Sequence, residues 1–374
     1  MLSSSTSTRR VAFSPAPRPA KGRIALLMLG GLCLLSGLDA ALLLLGVWAP
    51  VGASHLPGLH GMVMTLGFMG TVIALERAQS LGKSWAYIAP ALIAAASLSL
   101  VAGIPQVFGK MLLVQGYVVF TAVYIALWRR APVTGVVVQV LSGVMALCAA
   151  ILWVSITVES LIILLAAFIV LTIAAERAEL AQLTMGPKAS PRLLGLSTIL
   201  VVAALLTLLT PAVGARAFGV AVLGFVVWLV RDDVVGKFIR AQGLRRYNAT
   251  ALLAGYLWLG AAGLSWAVVG LPTVQWAYDI TIHGTFLGFG VSMIMAHAPI
   301  IFPAVLGRPL PYKPISWLPL LLLHLGMVLR VVGDLSGITL VWRTGSVVNV
   351  VAMLVFLIVS VILVVTHRAA DKRS

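Results

Sequence analysis

The chain has 374 residues, 61% of them hydrophobic and only 10% charged, with a formal net charge of +16 at pH 7. A soluble domain has no way to hide that much apolar surface, so the composition excludes a soluble globular protein and indicates an integral membrane protein. The basic excess lies in the short stretches between apolar runs, which makes it a topology signal and excludes nucleic acid as its partner.

In chain order, residues 1–22 are rich in Ser, Pro and Arg and read as a disordered tail. The apolar run after them is too long for a secretory leader and lacks a small-residue cleavage site, so it reads as a first membrane helix at about 24–49. A span needs about 20 mostly apolar residues. By that measure further spans follow at about 58–76, 84–104, 107–128, 133–155, 158–175, 190–210, 213–231, 248–270, 274–304, 315–334 and 345–366. The expected fold is all-α: a polytopic membrane domain of about 12 helices over residues 23–367, with a cytoplasmic tail at 368–374. The one longer connector, 232–247, reads as an amphipathic helix on the inner surface, in contact with lipid and solvent.

Placing the N-terminus inside and alternating puts all but Lys110, Arg216, Arg330 and Arg343 of the 26 Lys and Arg on the inner side. That bias predicts cytoplasmic termini in an inner, cytoplasmic membrane. Trp48, Trp85, Trp128, Trp153, Trp228, Trp276 and Trp317 fall near the expected helix ends, as an interfacial belt requires. Cys33 and Cys148 lie inside apolar runs and read as small buried hydrophobes.

A faint repeat links three spans that are four apart. The second ends VIALERA (72–78), the sixth ends TIAAERA (172–178), and the tenth opens IHGTFLGF (282–289) where the second has LHGMVMTLGF (59–68). All three run from outside to inside, so three groups of four helices with pseudo-threefold symmetry is the expected arrangement.

Ionisable groups at bilayer depth are costly and raise a functional question. His60 and His283 enter from the outer side at matching depth. Glycines flank both, with room for a neighbouring helix or for a flat cofactor. Two neutral imidazoles on facing helices are able to ligate a haem iron axially or hold a metal, or else to bond carbonyls as packing glue. Asp279 precedes His283 by one helical turn and is a candidate acceptor for its second ring nitrogen. His297 follows His283 by 14 residues, roughly 21 Å and about 40° on a uniform α-helix. It therefore shares a face with His283 but serves a separate inner site, or none. His324 lies midway along the eleventh span and is a further candidate metal ligand. Asp39 lies in the outer half of the first span. Glu76–Arg77 and Glu176–Arg177 lie at inner helix ends, where interfacial ion pairing is the simplest role. Arg330 and Arg343, as outer cations, suit carboxylates such as haem propionates, or else cap helices and pair with Asp334.

With these residues in place, the chain resembles haem-copper oxidase subunit I and, more specifically, the NnrS-type membrane proteins. The resemblance covers twelve helices in number and orientation. Its specific part is LHGMVMTLGFMGTVIALERA and IHGTFLGFGVSMIMAHAPII. It implies a haem, b-type, ligated by His60 and His283, with copper as a further expectation, and a role in electron transfer or in the response to nitric oxide or another diatomic gas. The sixth and seventh spans lack the histidines of a copper site, and the next histidine of the tenth span is four turns away. An oxidase-type binuclear centre is therefore not expected. The competing classes are a secondary transporter, and a cofactor-free assembly or metal-delivery factor for a respiratory complex.

Overall fold

The computed structural model describes residues 21–307 and 310–371. Most of the N-terminal tail, Arg308 and residues 372–374, all of which entered the charge count, lie outside them. Among the described residues, twelve helices are long and apolar enough to cross a membrane. They are α1 (Lys21–Leu44), α2 (Pro57–Leu81), α3 (Ser84–Val101), α4 (Gln106–Arg130), α5 (Thr134–Leu152), α6 (Val158–Leu180), α7 (Ala189–Leu209), α8 (Pro211–Asp232), α9 (Gly243–Val269), α10 (Gln275–Ile300), α11 (Pro314–Ser336) and α12 (Thr339–Thr366). The described residues contain no strand. The expected all-α polytopic architecture holds, with helix ends shifted by up to six residues.

Nine helices close a ring in the order α1, α3, α4, α5, α7, α8, α9, α11, α12 and back to α1. Inside stand α2, α6 and α10. Their most apolar windows are 67%, 83% and 67% buried, against 50% or less for every other span. The three helices linked by the sequence repeat are thus the three at the centre. The loosest joints of the ring are α9–α11 and α12–α1.

Chain punctuation follows backbone chemistry. Gly82 ends α2 in the left-handed region (φ 68°), where a Cβ would be strained. Arg130 at the end of α4 donates to the carbonyls of Ser80 and Leu81, covering acceptors that α2 leaves open at its terminus. Two sequence expectations need correction here. The connector after α8 holds only a four-residue helix, Val235–Phe238, because α8 runs to Asp232 and α9 starts at Gly243. Asp233 turns inward to an arginine instead of resting on a lipid surface. Trp153 and Trp228, assigned to the belt, are 4% and 6% exposed. Trp153 lies beneath Lys110, and Trp228 packs edge-on to Phe225.

Candidate functional site

Both α2 and α10 abandon α-helical winding within three residues of their histidine. Val63–Met69 and Gly284–Val291 are π-helical. Such segments loosen the regular hydrogen-bond ladder and mark functional sites more often than chance. Here side chains satisfy the carbonyls: the Tyr117 hydroxyl donates to Leu66 O at 2.9 Å, and Ser292 Oγ donates to Gly288 O at 2.6 Å.

His60 lies in the first turn of α2 and places Nδ1 2.8 Å from the Gly37 carbonyl of α1. A carbonyl only accepts, so this bond fixes the proton on Nδ1 and leaves the Nε2 lone pair outward. Nε2 makes no hydrogen bond among the described residues. His283 Nδ1 lies 2.8 Å from Asp279 Oδ1, one turn earlier on α10. Arg330 Nη2 lies beside the ring, 3.1 Å from Nδ1 and 3.5 Å from Nε2; the shorter contact to the Asp279 carboxylate selects the proton on Nδ1 and leaves Nε2 as the more open nitrogen. His60 lies within electrostatic reach of His283 and Arg330. The basic-end halves of α2 and α10 pack together, whereas no comparable packing joins their histidine-bearing halves.

Asp279 is held from the other side by Arg330 of α11. The guanidinium forks onto both carboxylate oxygens, with Nε to Oδ2 at 3.0 Å. Arg330 also donates to Ser346 of α12 and lies over the Trp342 ring at 5.4 Å. Asp279 and Arg330 are only 3% and 6% exposed. Arg330 is therefore a buried partner of Asp279 and not an open cation. Arg343 is exposed one helix away. The glycines beside the histidines serve helix packing: a Cβ on Gly284 would lie 3.1 Å from Trp258 O, and one on Gly288 would meet the Trp258 side chain at 2.6 Å.

The remaining candidates lie elsewhere. His324 Nδ1 accepts from Trp258 Nε1 at 3.1 Å, and its Nε2 lies 3.4 Å from Ser292 Oγ, so it ties α11 to α9 and α10. His297 lies 4% exposed at the other end of α10 and accepts from Arg177 Nη1 at 2.9 Å. His283 thus faces α11 while His297 faces α6. The expectation of a shared face assumed uniform α-winding, and the intervening π-helical segment removes that register. His60, His283, His297 and His324 form no common site, and no group of three or more His, Cys, Asp or Glu converges for a metal among the described residues. Asp39 takes Val51 N at 2.9 Å and anchors the loop after α1. His55 lies 3.0 Å from Val101 O at the surface.

The basic end carries a second polar centre. Arg77 forks onto its neighbour Glu76 and reaches Glu176 of α6 at 3.8 Å. Arg177 forks onto Asp233 at 2.9 and 2.7 Å, and Tyr256 donates to the same carboxylate. Asp233 and Tyr256 were missed by sequence reasoning. Their only signal was an acid at a span end and a tyrosine inside one. A cavity of about 60 Å³ lies among α2, α6 and α10, lined by Glu76, Glu176 and His297 in an otherwise mainly apolar wall.

Residues 23–365 match the family described as Domain of unknown function (DUF8744). No curated protein and no solved structure matches the chain significantly.

Proposed function

The chain belongs to the DUF8744 family, and we propose that this member is a haem-binding protein of the cytoplasmic membrane, with the haem between α2 and α10. The observation that carries the reading is the matched state of two imidazoles. His60 and His283 each have Nδ1 against an acceptor, with Nε2 unbonded in His60 and approached only by Arg330, at 3.5 Å, in His283. They stand on helices that part at that level. Metal-binding histidines need this second partner to fix tautomer and orientation. When bound, haem would supply a one-electron redox centre, which fits electron transfer.

The two histidines are held unequally. His283 is locked by Asp279, itself clamped by Arg330, whereas His60 rests on one bond to Gly37 O. A diatomic gas such as nitric oxide would need one histidine to withdraw, and His60 is the one free to do so. Arg343 is the exposed cation for carboxylates at this end, and Arg330 acts as a positioning residue through Asp279. The basic end faces the cytoplasm by the positive-inside rule.

Protein produced with a haem supply should show oxidised and reduced b-type spectra that disappear in His60→Ala/His283→Ala. Haem-free wild-type protein would overturn the proposal. A second reading, a cofactor-free transport or assembly protein, draws on the full commitment of Arg330 and the packed glycines. It gains if the wild type carries no haem and drives uptake in liposomes.

A further inference from the structure

The basic-end cavity is not isolated. Beside it runs an apolar crevice of about 220 Å³ between α1, α2, α10 and α12. Val72, Ile294 and Phe302 line both spaces and form their junction. The crevice lies at α12–α1, one of the two loosest joints of the ring of helices. Its rim residues Val361 and Val365 are 54% and 60% exposed on the lipid-facing surface. At Gly31, also in its wall, a Cβ would meet nothing within 4 Å. An apolar path thus leads sideways from the bilayer to a polar end only about one helical turn past Val72, at Glu76.

The chemistry of that end selects the occupant. Both arginines are committed, Arg77 to Glu76 and Arg177 to Asp233 and His297. Neither is left to receive a phosphate or carboxylate headgroup, and Glu76 and Glu176 repel one. Glu176 makes no hydrogen bond among the described residues, and its nearest cation is 3.8 Å away. It is an open, strong acceptor in a water-poor site. The small cavity has the room of about two waters, enough for a hydroxyl but not for a ring. The ring would stop at the junction, where Phe302 stands, with Phe68 and Phe356 in the crevice beyond. Aromatic walls favour a flat ring.

We propose that this crevice binds a membrane-dissolved quinol, its tail between α1 and α12, its ring at Phe302 and one hydroxyl donating to Glu176. The site is independent of the histidine pair at the opposite end.

The test is calorimetric titration of the full chain in phosphatidylcholine nanodiscs with a decyl-tailed benzoquinol, its oxidised quinone, and decanol. Saturable one-site binding of the quinol is expected. The quinone should bind several-fold more weakly, because its carbonyls only accept. Glu176→Gln should weaken the quinol about tenfold, the loss expected when one hydrogen bond forfeits its charge assistance. Gly31→Trp should abolish binding, with Gly31→Leu as the milder plug should the larger one not yield monodisperse protein. His60→Ala/His283→Ala should bind quinol like the wild type, so a failure of the haem reading leaves this result intact. The proposal is overturned by a wild type without saturable binding, by Gly31 and Glu176 variants that bind normally, or by decanol binding as tightly as the quinol, which would mark an acyl-chain groove.

Discussion

At the scale of single residues, the buried Asp279–Arg330 pair is the feature with the largest consequence. Two charges are held away from water, each satisfied by the other and by His283 and Ser346. Removing one partner leaves an uncompensated buried charge, at a cost of roughly 3–5 kcal/mol, whereas removing both is far milder. Arg330→Leu should therefore destabilise strongly in a denaturant or thermal titration in detergent, and Asp279→Asn/Arg330→Leu should recover most of the loss. Equal destabilisation of single and double variants would show that the pair is not the cause. Asp279 also orients His283, and loss of such a partner lowers metal affinity by about 10–100-fold. The compensated Asp279→Asn/Arg330→Leu variant should accordingly release haem faster than wild type in a transfer assay to apomyoglobin, with its fold retained. The pairing of Asp279 with His283 was legible from their four-residue spacing. The Arg330 contact was not, because it joins positions 51 residues apart on α10 and α11.

At the scale of elements, the repeat linked α2, α6 and α10 in sequence, and the structure sets those three at the centre and gives the two His-Gly helices the same local defect. The π-helical segment of α2 is braced from α4 by Tyr117, whose hydroxyl bonds Leu66 O. Gly70 makes that approach feasible: a Cβ there would fall 2.0 Å from the same hydroxyl. Gly70→Ala should thus destabilise by roughly 1–3 kcal/mol through overpacking. Tyr117→Phe removes the colliding oxygen, so the double variant should be more stable than the sum of the singles allows, a coupling measurable by a double-mutant cycle. Simple additivity would refute the contact. Hydrophobic pattern located all twelve spans, since length and apolarity alone decide that. It is blind to π-winding, which depends on partners from other helices, and so it misplaced His297 relative to His283. Loops failed for a related reason: Asp233 sits in a connector by sequence, but its carboxylate belongs to the buried Arg177 on α6.

At the scale of the whole molecule, the arrangement is a ring of nine helices around three, and both polar centres are built on the inner three and tied to the ring, one through Arg330 of α11 and the other through Tyr256 of α9. Most of the large exposed apolar residues lie on ring helices, such as Leu209 on α7 and Val268 on α9, 81% and 68% exposed, as a lipid-facing surface demands. Composition told that such a surface exists, while the order of the ring comes from packing alone. An even number of spans puts both termini on one side. The basic residues Lys83, Arg129, Arg130, Lys188 and Lys237 gather at that same end, which the positive-inside rule assigns to the cytoplasm. Single cysteines make this measurable, once Cys33 and Cys148, both free thiols, are replaced by alanine. A cysteine at exposed Gly52 or Thr273, in the connectors at the histidine end, should react with an impermeant maleimide on intact cells. One at exposed Lys188 or Lys237 should react only after permeabilisation. The opposite pattern would invert the molecule. It would put His60 and His283 at the cytoplasmic side and the carboxylates of Glu76 and Glu176 at the outer one.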